Sequence, residues 1–91
     1  DTGVSGEVAD QMGDLMKNMG VDMQVLTITH LPQIAAKGNA HYKVYKSHDA
    51  KTTSSQIKYL SNSERVDELA QMLSGIKITE ASRQNAMELL K

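Results

Sequence analysis

The chain has 91 residues, 40% of them hydrophobic, and a formal net charge of −1, values that suit one small domain. The absence of cysteine excludes a disulfide framework and a thiolate metal site, and the near-neutral charge gives no electrostatic sign of a nucleic-acid or membrane partner. No apolar run approaches the roughly 18 residues that a membrane span needs, and no basic-then-apolar leader is present, so we expect a cytoplasmic protein.

The chain opens on a turn-like segment, DTGVSGEVAD, which is rich in Asp, Thr, Gly and Ser. Such a segment normally connects two elements, so we expect a strand before it and interpret the chain as a fragment. An amphipathic helix is predicted from the N-cap Ser5 to a stop at Gly20. We expect its apolar stripe to lie in the core, with a partner groove as the alternative; the stripe comprises Val8, Met12, Leu15, Met16 and Met19.

A buried strand is predicted next, because DMQVLTITH contains a nearly unbroken apolar and β-branched run from Val25 to Thr29. Such a run is typical of a strand covered on both faces in a parallel sheet. The helix and this strand then form half of a βαβ unit. A short helix is predicted to follow directly, since Pro32 suits a first helical turn and Gly38 suits a C-cap.

A β-hairpin is predicted over residues 39–60. Tyr42 and Val44 fall on one face of its first strand, and the alternation is repeated by Ile57 and Tyr59 in the second. The polar stretch between them, SHDAKTT, is typical of a turn. The other face of the first strand then carries His41, Lys43 and Tyr45.

Two helices are predicted over residues 61–91. Ser61 and Glu64 form a capping box at the start of the first helix. Gly75 ends it, and its apolar stripe comprises Val66, Leu69, Ala70 and Leu73. The charges of NSERVDE are interpreted as a solvated face of this helix. Thr79 caps the last helix, whose apolar side carries Ala86, Leu89 and Leu90.

His30 is the foremost candidate for chemistry, because it stands between the predicted strand and a helix start, where open α/β sheets bind ligands. The alternative is that His30 only ends the strand or caps the following turn. His41 and His48 have no carboxylate or cysteine partner at ligand spacing, so we expect solvated side chains and no metal site. The segment TGVSG either cradles a phosphate at a helix N-terminus or is a plain connecting turn. The sequence contains no GxxxxGK[ST] loop.

Three stretches, DTGVSGEVA, VLTITHLPQIAAKGNAHYKVYK and RVDELAQMLSG with ITEAS, together resemble the C-terminal end of the RecN family. This family is the bacterial DNA double-strand-break repair group of the SMC-like ABC ATPases, and the resemblance covers essentially the whole chain. It implies an α/β fold that is the C-terminal part of a P-loop ATPase head with an incomplete sheet. The implied segments are a D-loop at 1–6, a helix, strand, switch histidine and short helix at 7–38, a hairpin at 39–60 and C-terminal helices at 61–91.

The resemblance implies specific site residues. In such ATPases the D-loop crosses the dimer interface and couples the two nucleotide sites, and the switch histidine contacts the γ-phosphate. His30 matches the switch histidine and is the implied catalytic residue, while the D-loop corresponds to Asp1, Thr2, Gly3, Val4, Ser5 and Gly6. Ser5 stands where the wider superfamily often has Asp, which argues against a carboxylate-specific role at that position.

The resemblance also implies cofactors and partners. A full-length protein of this kind binds ATP and Mg²⁺, pairs with a second ATPase head, and acts on DNA at the nucleoid in the cytoplasm. The Walker A, Walker B and signature motifs have no counterpart in this sequence. We therefore expect the isolated chain to be inactive, to bind no cofactor, and to self-associate through its unpaired strand. The alternative is an autonomous small α/β module that binds protein or DNA without nucleotide chemistry.

Overall fold

A computed structural model describes residues 6–49 and 51–91 of the chain. The elements in chain order are α1 (Gly6–Met19), α2 (Pro32–Ala35), β1 (Tyr42–His48), β2 (Thr53–Tyr59), α3 (Asn62–Ser74) and α4 (Glu80–Leu89). The described part is thus α/β with a two-stranded antiparallel sheet, which is consistent with an incomplete sheet. None of the helices in these ranges is long and apolar enough to cross a membrane.

The core lies between α3 and α4 and extends to the end of α2. Leu69 and Ala70 of α3 and Ala86 of α4 are completely buried, and Ala36 packs with them. The predicted apolar stripe of α3 is therefore confirmed at its centre. Partly buried side chains surround this cluster: Ala35, Val66, Met72, Leu73, Ile78, Leu89 and Leu90. Three of the four buried members are alanines, so the core is small and its helices lie close together.

The predicted caps of α3 are confirmed. The Ser61 hydroxyl accepts a hydrogen bond from the Glu64 N–H at 3.3 Å, and the Glu64 carboxylate accepts one from the Ser61 N–H at 2.8 Å. This pair satisfies two N–H groups that an open helix end leaves without partners. Gly75 ends the helix with φ at 87°, a backbone conformation that glycine adopts without strain.

Thr79 caps α4, as predicted from the sequence. Its hydroxyl accepts a hydrogen bond from the Ser82 N–H at 3.0 Å, and the Ser82 hydroxyl oxygen accepts one from the Thr79 N–H at 2.9 Å. The two residues form the second capping box of the chain. Because both boxes lie within single helical turns, the starts of α3 and α4 are defined by local sequence.

α1 packs on α2 at Gly13. A Cβ atom at this position would lie 2.7 Å from Cγ of Lys37 and 3.3 Å from the carbonyl oxygen of Gln33, so a side chain here would displace Lys37 and press against α2. The Lys37 ammonium lies 3.2 Å from the carboxylate of Asp10 and 2.7 Å from that of Asp14. Hydrogen bonds to Asp14 and then to Asp10 raise the pKa of Lys37 above its ordinary value. Close backbone approach and ion pairs thus hold α1 in place.

The methionine stripe of α1 does not lie in the core. The helix itself is confirmed, but its buried residues are Ala9 and Gly13. Four of the five side chains predicted as core are exposed by about half, at 43, 43, 62 and 42% for Val8, Met12, Leu15 and Met19. Met16, the fifth, is partly buried. The interpretation as a core stripe is wrong because α2 has only four residues, too few to cover more than the strip around Gly13.

Residues 24–29 form no strand, contrary to the prediction of a buried parallel strand. Among the described residues, no backbone hydrogen bond joins this segment to another one. Leu26 and Ile28 are 88% and 98% exposed, whereas Val25 and Thr29 on the alternate side are half-buried. A strand exists through its hydrogen-bonded ladder, and within residues 6–49 and 51–91 the strands β1 and β2 pair only with each other. The prediction is wrong here because no strand of these ranges lies beside the segment.

The predicted hairpin is confirmed, with the two strands antiparallel. Tyr42 lies opposite Tyr59, and Val44 lies opposite Ile57. The tyrosine rings pack edge to face with their centroids 5.2 Å apart, a favourable arrangement for aromatic pairs. All four side chains share one face of the hairpin, as the alternation predicts, and more than half of each is exposed. This apolar face is therefore uncovered in the described structure.

The opposite face of the hairpin is attached to α3 by ion pairs. Lys43 of β1 lies 2.7 Å from the Glu68 carboxylate, and Lys58 of β2 lies 2.6 Å from that of Glu64. Exposed ion pairs contribute about 1 kcal/mol or less each. The hairpin is consequently held together by its own ladder more firmly than it is held to α3.

We expect the isolated chain to self-associate at micromolar concentration, because residues 24–29 carry exposed apolar side chains, and their backbone groups have no hydrogen-bond partner in another described segment. Ile28→Thr should weaken association about tenfold, since burial of a large aliphatic side chain contributes roughly 1.5–3 kcal/mol and part of it remains in threonine. Analytical ultracentrifugation measures both.

Ile76→Thr is the matched control, because Ile76 is also exposed, at 91%, but lies between α3 and α4. It should leave the sedimentation profile unchanged. A compact monomer with strongly protected amides at residues 25–29 would contradict self-association.

Glu64 should make the stability of the chain sensitive to acid. Its hydrogen bonds to Lys58 first and to Ser61 next lower the pKa of Glu64 from 4.5 to about 2. A depressed carboxyl pKa contributes stability above the unfolded value, and this contribution is lost as the pH falls from 4.5 toward 2. Glu64→Gln should therefore flatten the fall of the thermal midpoint over that range. Glu88→Gln, which removes an exposed pair with Lys91, is the control, and an acid slope that Glu64→Gln leaves unchanged would refute the assignment.

Candidate functional site

An open groove of about 920 Å³ lies between α1, residues 23–30 and the apolar face of the hairpin. α1 contributes Met16 to its wall, and the hairpin contributes Tyr42, Val44 and Ile57. The uncovered residues 24–29 form the third wall of the groove, between α1 and the hairpin. Because exposed apolar surface of this extent marks an interaction site, the groove is the candidate binding surface of the described chain.

Two of the three lysines at the groove are engaged with carboxylates. Lys37 pairs with Asp10 and Asp14, and Lys43 pairs with Glu68. Their charges are therefore offset within the chain. A phosphate site needs convergent cations or backbone N–H groups that remain available to the ligand. The arrangement suits an apolar protein element better than a phosphate group.

His30 lies at the groove, directly before α2, and its side chain is exposed. The Thr29 hydroxyl accepts a hydrogen bond from the Leu31 N–H at 3.0 Å. The Leu31 carbonyl in turn accepts from the N–H groups of Ile34 and Ala35 at 3.1 and 3.0 Å. These bonds fix the backbone on both sides of His30. The predicted helix start after His30 is confirmed, but the buried strand predicted before it is absent.

The predicted D-loop falls mostly outside the described residues, which include neither Asp1, Thr2, Gly3, Val4 nor Ser5. Gly6 is the first residue of α1, and a Cβ atom there would lie 3.4 Å from Nε2 of Gln33 in α2. The structure therefore brings the end of the predicted D-loop beside the short helix that follows His30. The catalytic role of His30 and the D-loop role of residues 1–6 stay predictions.

His41 differs from the solvated side chain that the sequence predicts. It is half-buried, and its Nδ1 atom is buried without a hydrogen-bond partner among the described residues. Burial, and then the nearby charge of Arg65, lower the pKa of His41, which favours a neutral ring. His48 is exposed, as predicted, with Nδ1 3.3 Å from the Thr53 hydroxyl. No group of three or more His, Asp or Glu side chains in residues 6–49 and 51–91 is placed to hold a metal ion.

Arg65 is the side chain that the sequence analysis missed. The interpretation of NSERVDE as a solvated face is wrong at this position, because Arg65 is only 8% exposed. Its Nη2 atom donates to the carbonyl oxygens of Ala35 at 3.2 Å and Ala36 at 3.4 Å. Burial lowers the pKa of Arg65 below its ordinary value. Helical spacing is the sequence signal that indicates burial of Arg65. Arg65 stands four residues before Leu69 and so lies on the core face of α3.

Three proteins named DNA repair protein RecN match the chain from end to end. The protein of Rickettsia conorii is 47% identical over 90 residues, which are 99% of this chain. Those of Xylella fastidiosa and Bacillus subtilis are 43% and 40% identical over 91 residues. The chain spans only 16% of the length of each of these relatives. No protein-family model matches it.

Proposed function

Since the chain is homologous over its whole length to a C-terminal segment of the RecN DNA repair proteins, we propose that it forms the C-terminal part of the ATP-binding head of a RecN-like protein. This protein acts in DNA double-strand-break repair and recombination. The observation that carries the proposal is the match of 99–100% of the chain at 40–47% identity to proteins of that name.

In this proposal His30 is the catalytic residue that this segment supplies. It contacts the γ-phosphate of ATP and stabilises the charge that develops during phosphoryl transfer, an effect of position and electrostatics. Asp1–Gly6 form the D-loop at the interface with a second head, where Ser5 offers a hydroxyl in place of the common carboxylate. ATP and Mg²⁺ are the cofactors of the full-length protein, and its phosphate-binding loop and Walker B acids hold them.

The uncovered groove supports placement within a larger sheet. Strands on both sides of residues 25–29 supply the missing ladder in the full-length head, and helices packed on the faces of that sheet cover Leu26 and Ile28. An autonomous interaction module has to close its own core, and exposures of 88% and 98% at these two residues argue against that alternative. The partners in this proposal are a second head and DNA, and the location is the nucleoid within the cytoplasm.

His30→Ala should lower ATP turnover about 100-fold or more in a RecN-like protein that carries this segment, while nucleotide affinity changes much less. The reason is that the contact strengthens as charge develops on the γ-phosphate. Steady-state hydrolysis and an equilibrium nucleotide titration measure the two effects separately.

His48→Ala is the matched control, because this histidine lies on the exposed end of the hairpin. It should leave turnover unchanged. Equal losses of turnover and affinity in His30→Ala, or no loss at all, would make His30 a structural residue.

The isolated 91-residue chain should bind ATP no more tightly than about the millimolar range. The sequence contains no phosphate-binding loop, and two of the three lysines at the groove, Lys37 and Lys43, are offset by carboxylates. Isothermal titration with and without Mg²⁺ measures the affinity. Micromolar, Mg²⁺-dependent binding would show that the chain carries a nucleotide site of its own.

A further inference from the structure

Arg65 is a buried charge whose hydrogen bonds point at one end of a short helix. Among the described residues it has no carboxylate within ion-pair distance, and its Nε atom is buried without a partner. Its two hydrogen bonds go to the carbonyl oxygens of Ala35 and Ala36. Burying a guanidinium without a counter-charge is unfavourable. The contact with α2 is therefore the feature that offsets this cost.

α2 needs such a contact because it has a single turn. A helix of four residues has no stability of its own in water, and the carbonyls at its C-terminal end have no partners within the helix. The Arg65 guanidinium donates to two of these carbonyls and places a positive charge at the negative end of the helix. Ala36 packs in the core beside Leu69. Arg65 thus fixes the end of α2 on α3.

α2 in turn fixes the backbone at His30. The Leu31 carbonyl accepts hydrogen bonds from Ile34 and Ala35 inside α2, and Pro32 restricts the φ angle of the first turn. Leu31 directly follows His30, so a rotation of α2 moves the His30 Cα–Cβ bond with it. A continuous path of hydrogen bonds runs from Arg65 through α2 to the residue next to His30.

We propose that Arg65 is a positioning residue: from α3 it holds the C-terminal carbonyls of α2 and so sets the direction in which His30 projects. The importance of Arg65 for turnover rests on the proposed role of His30 at the γ-phosphate. The effect of Arg65 on the placement of His30 is independent of that role. The C-terminal helix pair is then coupled to the catalytic histidine through one guanidinium.

The first test uses the 91-residue chain without nucleotide. Arg65→Met keeps the unbranched apolar stem of the side chain but removes both hydrogen bonds. It should speed hydrogen exchange at the amides of Ile34, Ala35 and Ala36 about tenfold and shift the NMR signals of the His30 ring. Amides of α4 should keep their protection, which separates loss of α2 from global unfolding.

Arg83→Met is the matched control. Arg83 pairs with Asp67 across α3 and α4 and makes no hydrogen bond to α2. It should change neither α2 exchange nor the His30 signals. If Arg65→Met behaves like Arg83→Met, the proposal is overturned.

If Arg65→Met does not fold, Arg65→Lys tests the same proposal. The lysine keeps the charge, but its side chain is one atom shorter, so its ammonium falls short of the two carbonyls that Nη2 of Arg65 reaches. We expect α2 exchange about threefold faster than in the wild type and a smaller shift of the His30 signals. Wild-type exchange in Arg65→Lys would overturn the proposal.

The second test measures turnover in a RecN-like protein that carries this segment. Arg65→Met should lower kcat about tenfold and change KM for ATP less than about twofold. If His30→Ala leaves turnover unchanged, the proposed function fails while the shift of the His30 signals in Arg65→Met still stands. If His30→Ala abolishes turnover but Arg65→Met alters neither kcat nor the ring signals, the positioning role alone fails.

Discussion

The burial of a small apolar cluster around Leu69, where α3 meets α4, is the constraint on which the other contacts depend. α3 then supports the remaining elements through polar side chains. Arg65 holds α2, while Glu64 and Glu68 hold the hairpin. α1 packs on α2 and is therefore attached to α3 indirectly. Outside the Leu69 cluster, apolar burial is thus supplemented by polar contacts: hydrogen bonds at α2, and ion pairs at the hairpin and at α1.

Features that depend on neighbouring residues in the sequence were predictable. The capping boxes of α3 and α4 and the stop at Gly75 each act within one helical turn, so the residue types alone determine them. The hairpin has the same local character, since the alternation that includes Val44 and Ile57 sets which side chains share a face. In all these cases the interacting groups are close along the chain.

Features that depend on distant partners were not predictable in the same way. The run from Val25 to Thr29 has the composition of a buried strand, but burial requires neighbouring strands that composition does not provide. The stripe of α1 fails for the same reason, because α2 is too short to cover it. At the candidate site, the helix start after His30 was predicted, whereas Arg65 was not, since its partners are backbone carbonyls about 30 residues away.

Methionine gives the groove a chemical vulnerability. Met23 is 55% exposed and lines the groove, and Met12 and Met19 of α1 are 43% and 42% exposed. Oxidants convert an exposed thioether into a polar sulfoxide, which packs poorly against apolar surface. A chain whose groove is covered protects its groove-lining thioethers from oxidation, whereas an uncovered chain loses the apolar character that later association requires. Oxidative damage and assembly therefore compete for the same surface.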